Sequence, residues 1–211
     1  SFLLSKDLTG ARCNRYLACI KCFFNRLIQW KVLESNPTKG IKKFGETQTT
    51  TYLEMGEVKM LLEECSPRLK PIVQVALLTG LRKSDILGLR WDKIDLENQV
   101  LYLSQKKTGE PLALPVSDAL VQVLRTIPQN ADCPWVFNEN GKPLFENRWI
   151  RTEFEGAVSN LNLTKEGRKV NFHSLRHTCA TQQRFLGRDL TVIQKLLGHK
   201  NISTTARYAH F

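Results

Sequence analysis

His173-Ser174-Leu175-Arg176-His177, then Leu197-Gly198-His199, then Thr204-Thr205-Ala206-Arg207-Tyr208 form the stretch on which the reading of this sequence turns. His173 and Arg176 are three positions apart, so on a helix they share one face. Leu197-Gly198 reads as a helix stop, and His199 follows it directly. Far upstream stand Arg82, in Thr79-Gly80-Leu81-Arg82, and the pair Lys106-Lys107 before Thr108-Gly109. Together these residues offer several fixed cations, titratable imidazoles and one phenol. That inventory suits the handling of a phosphate without a metal.

Taken in order, Thr79-Gly-Leu-Arg82-Lys-Ser-Asp85, Lys107-Thr-Gly, His173-Ser-Leu-Arg176-His177-Thr, Leu197-Gly-His199 and Thr204-Thr-Ala-Arg207-Tyr208 resemble the motifs of the tyrosine recombinases, the phage-integrase family. The resemblance runs from about Tyr52 to the last residue. It implies an α+β fold: a mainly helical catalytic domain with a small three-stranded antiparallel sheet, preceded by part of a helical DNA-clamping domain. It also implies site-specific strand exchange through a 3′-phosphotyrosyl intermediate, without metal, ATP or any other cofactor. The implied partners are a double-stranded recombination site and further copies of the chain, a dimer on one site and a tetramer in the synapse. An excision or DNA-bending factor belongs to the same expectation, as does a role in a mobile genetic element.

Composition points to the same class of partner. The 211 residues carry a formal charge of +11, which favours a polyanion. The charge is uneven: residues 1–45 hold nine cations against Asp7 and Glu34, a local balance of +7. No apolar run approaches membrane-spanning length. Cys19 and Cys22 make a lone C-x-x-C without a second pair or nearby histidine, so a zinc site is not expected. The six cysteines read as small buried hydrophobes and the compartment as reducing, hence cytoplasmic.

Apolar residues at Tyr16, Leu17, Ile20, Phe23, Phe24, Leu27, Trp30 and Leu33 predict a helix over 12–34, closed by Asn36-Pro37. Thr38 to Thr51 reads as a linker. The boundary is therefore placed with residues 1–45 as the tail of the clamping domain plus the start of the linker, and 46–211 as the catalytic domain. Within the latter, helices are expected over Glu54–Cys65 and Leu69–Leu78, the second stopped by Gly80. Strands are expected over Trp91–Leu96, Val100–Ser104 and Pro111–Val116. Further helices follow over Ser117–Ile127, Arg148–Leu161, Ser174–Leu186, Leu190–Leu197 and Ser203–His210.

The chemistry follows from the side chains and the resemblance together. Tyr208 is the expected nucleophile. A phenol of pKa ~10 is only about 0.1% ionised at neutral pH, a deficit of roughly 4 kcal/mol that a base and a cationic pocket must remove. Arg82 and Arg176 would hold the non-bridging oxygens, since a guanidinium is always charged and donates through a planar fork. Taken singly, each arginine reads as a surface ion pair, a reading Arg82 resists because Leu77-Leu78-Thr79-Gly80-Leu81 before it is apolar. His173 is the expected general base, and His199 a donor to a non-bridging oxygen. His177, next to Arg176, is expected to point away and play a structural part; His210 receives no role. A lysine on the hairpin tip would protonate the leaving 5′-oxygen. Lys106 and Lys107 both lie there, and the family pattern, lysine directly before Thr-Gly, selects Lys107. Asp85, one turn after Arg82 and where the family commonly has glutamate, would orient the arginine or histidine. Family members usually continue past the tyrosine into a segment that packs on a neighbouring protomer, whereas this sequence has three residues after Tyr208.

Three other functions compete. A catalytically silent DNA-binding protein would share the arginines but need neither Tyr208 nor both histidines. A type IB topoisomerase uses similar chemistry, yet the Thr-Gly-Leu-Arg and Leu-Gly-His wording is that of the integrases. A metal nuclease would require clustered carboxylates, which the sequence lacks.

Overall fold

A computed structural model describes residues 8–46, 50–104, 111–130, 132–145, 147–165 and 167–211. The chain divides into two compact units, residues 1–49 and 50–211.

The first unit is built on one helix, α1 (Gly10–Gln29). It ends five residues short of expectation, because Lys31 adopts a left-handed φ of 57°. The Val32 amide then reaches back to the Leu27 carbonyl at 2.9 Å, which satisfies an otherwise orphaned acceptor. Asn14 fastens the return strand to this helix. Its Nδ2 donates to the Phe44 carbonyl at 2.9 Å, and its Oδ1 accepts from the Phe44 amide at 2.8 Å. The segment read as a linker is thus tied down as far as Phe44. Only Cys13, Asn14 and Leu17 are buried on α1, while the periodic Tyr16, Ile20, Phe23 and Trp30 are exposed.

The second unit opens with α2 (Met55–Glu64), whose first turn is closed by a capping box between Glu54 and Glu57. Next comes α3 (Lys70–Thr79), ended by Gly80 at φ 64°. Any larger residue there would collide: a Cβ would lie 2.7 Å from Leu197 Cδ2 and 3.2 Å from Cys179 Sγ. Arg82 then caps a short helix, α4 (Lys83–Leu87). The sheet is antiparallel in the order β1 (Ile94–Asp95), β2 (Val100–Ser104), β3 (Pro111–Pro115). Its register pairs Ile94 with Leu101 and Leu101 with Leu114. The first strand is shorter than predicted, because Trp91–Lys93 is a 3₁₀ turn. The Trp91 amide is committed instead to the Pro134 carbonyl at 2.9 Å.

Helix α5 (Asp118–Arg125) is capped by Ser117. Two small hairpins, β4–β5 (Asn138–Glu139 with Lys142–Pro143) and β6–β7 (Thr164–Lys165 with Arg168–Lys169), flank α6 (Arg148–Asn160). Then follow α7 (Phe172–Phe185) and α8 (Leu190–Leu197), which Gly198 ends at φ 60°. The last predicted helix is split: α9 covers Ile202–Thr205, and Ala206–Tyr208 tightens into a 3₁₀ turn. The mainly helical α+β architecture with one three-stranded antiparallel sheet is therefore the fold.

The main core gathers Leu61, Ile72, Ala76, Ile86, Leu101, Leu124, Phe154 and Leu175, all buried. Burial of each such side chain contributes about 1.5–3 kcal/mol. A smaller cluster holds Ala180, Ile193, Leu197 and Tyr208. The proposed nucleophile is thus a core residue in this structure.

Candidate active site

Four short segments converge. The junction of α3 and α4 supplies Arg82, and α7 supplies His173, Arg176 and His177. The residue after the α8 cap is His199, and the terminal 3₁₀ turn brings Arg207 and Tyr208. The position of α7 is set locally: Asn171 accepts from the amides of His173 at 2.9 Å and Ser174 at 3.3 Å. This cap starts the helix two residues earlier than predicted, and so places His173 in its first turn.

Arg176 is 3% exposed. Its Nη1 donates to the Gly80 carbonyl and its Nη2 to the Leu197 carbonyl, each at 2.7 Å. Both acceptors lie at helix C-termini, where the partial negative charge favours a cation. Burial, and then the neighbouring Arg82 charge, push the Arg176 pKa down to about 10. Arg82 Nη1 lies 3.9 Å from Asp85 Oδ2, and its side chain keeps 22% exposure. Two guanidinium groups that repel one another, one of them open to solvent, make a place for an anion.

His199 Nδ1 is 2.8 Å from the fully buried Thr205 hydroxyl. Where that hydroxyl donates, the neutral ring carries its proton on Nε2, as a donor. Burial and then the Arg176, Arg82, Arg207 and His173 charges lower the His199 pKa to about 4. The same charges reaching one imidazole bring residues 82, 173, 176, 199 and 207 into a single field.

The structure corrects the expectation for His177. It does not point away: its Nδ1 lies 2.6 Å from the Tyr208 hydroxyl. His173, the expected base, is exposed and meets the His177 ring edge-on at a centroid distance of 4.9 Å. The signal was present in the sequence, since residues 173 and 177 are four apart and share a helix face. Tyr208 is 1% exposed, and burial raises its pKa to about 12, against the lowering pull of Arg176 and Arg207. Arg207, which the sequence reading left without a role, joins this field; its Nε is buried with no hydrogen-bond partner among the described residues. Lys106 and Lys107 lie outside the described residues. Among the described residues no three His, Cys, Asp or Glu side chains are grouped to hold a metal.

Residues 51–211 match the phage integrase family. The integrase of Salmonella phage P22 is 29% identical over 195 residues, covering 86% of this chain and 49% of that protein. A tyrosine recombinase of Thermosipho africanus is 31% identical over 223 residues, 98% of this chain and 76% of that one. Among solved structures, a lambda integrase dimer bound to a COC′ core site superposes with a TM-score of 0.79 at 21% identity, over 94% of this chain and 59% of that chain. The Tn1549 transposon integrase with circular intermediate DNA gives 0.75 at 21% identity, over 98% and 76%. The chain spans about half the length of the P22 integrase it matches.

Proposed function

This chain belongs to the phage integrase family, and from that premise we propose that it cleaves and rejoins DNA strands at a specific site through a covalent link to Tyr208. The carrying observation is convergence: Arg82, His173, Arg176, His199 and Tyr208 come from four segments and share one cationic field. In the proposed reaction the phosphate sits between the two arginines, with His199 donating to a non-bridging oxygen. Tyr208 Oη attacks phosphorus, the bond to the 5′-oxygen breaks, and a 3′-phosphotyrosyl link forms. His173 accepts the phenolic proton, Lys107 gives one to the departing oxygen, and Asp85 steadies Arg82. The new ester keeps the energy of the broken one, so rejoining by the reverse attack consumes no ATP. The guanidinium groups supply the charge stabilisation that a metal would otherwise provide.

The partner in this reading is duplex DNA, handled by a dimer on each site and a tetramer across two, in a reducing cytoplasm. The dimeric lambda complex supports the assembly, and so does a related structure of a lambda integrase tetramer on a Holliday junction. Residues 1–45, with their excess of cations, would complete a clamp on the duplex, and an excision or bending factor would set direction.

The test is a nicked duplex bearing the recognition site, scored for a protein–DNA adduct that survives denaturant. The parent chain should form it, and Tyr208→Phe should abolish it while DNA binding persists. An adduct that survives the substitution overturns the assignment of the nucleophile. Binding without any adduct in the parent chain would favour the silent DNA-binding protein.

A further inference from the structure

The Tyr208 hydroxyl is the atom that must meet a phosphate, yet the side chain is 1% exposed. Three features hold it inward. The ring packs with Ala180, Ile193 and Leu197. Its hydroxyl lies 2.6 Å from His177 Nδ1. Beyond it, the Phe211 ring is seated against Tyr52 and Phe185, at centroid distances of 5.1 and 6.0 Å, which fixes the end of the segment. A DNA strand cannot approach an oxygen in this position, so the hydroxyl has to leave His177 before it can attack.

We propose that His177 is a positioning residue for the nucleophile: it holds the Tyr208 hydroxyl withdrawn as a neutral phenol, and strand cleavage begins with the rupture of this hydrogen bond. This rests on the reading of Tyr208 as the nucleophile.

The alternative, that His177 takes the phenol's proton, fits the surroundings poorly. A useful base gains a proton near the working pH. Burial, and then the charges of His173, Arg207, Arg176 and His199, hold the His177 pKa down to about 3. At neutral pH this ring therefore stays a neutral acceptor. A phenol that donates to it is stabilised in its protonated form, the opposite of activation. Arg176 and Arg207 pull the other way, towards phenolate. Once the hydroxyl leaves the imidazole, that pull is no longer opposed by the hydrogen bond. His177 on this account restrains the tyrosine, and the cationic cradle activates it.

The first measurement uses the free protein. N-acetylimidazole acylates accessible tyrosines, and peptide mass mapping resolves Tyr208 from Tyr16, Tyr52 and Tyr102. His177→Leu removes the acceptor at similar volume, and should raise the rate at Tyr208 about three- to tenfold, the range expected for one lost hydrogen bond. His177→Asn can offer Oδ1 near the place of Nδ1, and should keep Tyr208 slow. A merely structural role would not separate the two variants in this order. On the nicked duplex, His177→Leu should form the adduct faster by a similar factor.

An unchanged acylation rate in His177→Leu overturns the proposal. So does a loss of adduct formation in both His177→Leu and His177→Asn, because an amide can accept the hydrogen bond but cannot take the proton, and that pattern would make His177 the base. Should His177→Leu fail to fold, ¹⁵N spectra of the histidine-labelled parent chain decide. The His177 Nδ1 resonance should carry the signature of an accepted hydrogen bond in the free protein and lose it on the duplex; a signature unchanged by DNA overturns the proposal. Acylation and the free-protein spectrum need no DNA, so they can fail while Tyr208 still forms the adduct, and succeed while it does not.

Discussion

Arg176 is a buried cation whose nearest partners are carbonyls. Its two 2.7 Å bonds to Gly80 and Leu197 tie the end of α3 to the end of α8. Lysine in its place keeps the charge but offers no fork, so one carbonyl loses its donor. The expected cost of Arg176→Lys is about 1–3 kcal/mol of unfolding free energy, read by denaturant titration. Adduct formation should fall on the order of a hundredfold or more, because the anion site loses a planar donor. The buried imidazoles make a separate prediction about pH. Their folded pKa values, about 3 for His177 and about 4 for His199, lie below the ordinary 6.5. Between those limits the unfolded chain binds more protons than the folded one, so stability rises with pH. It is fully present above about pH 6.5 and is lost as the solution is acidified towards pH 4. The slope is at most about 1.4 kcal/mol per pH unit for each histidine. Thermal melts between pH 7 and 4.5 should show it, and His177→Asn combined with His199→Asn should flatten it. At this scale it was the resemblance to the integrases that singled out Arg82, Arg176, His199 and Tyr208, and the fold brings these side chains into one field. Spacing put His177 on the face of His173, but its bond to Tyr208 was not legible, because a hydroxyl from residue 208 reaches residue 177 only through the packing of α8.

The helix ends matter more than the helices. Gly80 accepts from Arg176, ends α3 at a left-handed φ, and leaves no room for a Cβ beside Leu197. Gly80→Ala should therefore cost about 1–2 kcal/mol for backbone geometry alone, with more for the displaced Leu197. Because the same shift moves the Gly80 carbonyl, adduct formation should fall together with the melting temperature. A variant that melts early but keeps the parent's rate at low temperature would separate the two roles. The long periodic helices were legible, and so were the stops at Gly80 and Gly198. The short elements were not. Five-residue α4 has too few turns to show a period, and the 3₁₀ turn at Trp91 depends on the Pro134 carbonyl, far along the chain. Apolar periodicity on α1 predicted burial that the first unit does not provide: Phe23 and Trp30 are 59% and 67% exposed. Period reports which face wants cover, and says nothing of whether the cover is there.

Both core clusters consist of residues from 53 onwards, so the second unit holds its own apolar stabilisation. The charge is divided differently. Residues 1–45 carry +7, and Glu46 reduces this to +6 for residues 1–49; of the total +11, residues 50–211 keep +5. Core and charge are thus separable, and a chain of residues 50–211 should melt close to the parent while binding DNA more weakly. The parent's affinity should fall steeply with salt: for about four neutralised phosphates the loss between 50 and 200 mM is on the order of a hundredfold. The shorter chain should show both a lower affinity and a shallower slope of log K against log salt, because it releases fewer counterions. Equal slopes would mean that the first unit's cations do not touch the phosphate backbone. In that case the difference in charge would be a property of the sequence with no counterpart in the complex. A shallower slope with an unchanged adduct yield at saturating protein would assign the first unit to grip and the second to chemistry.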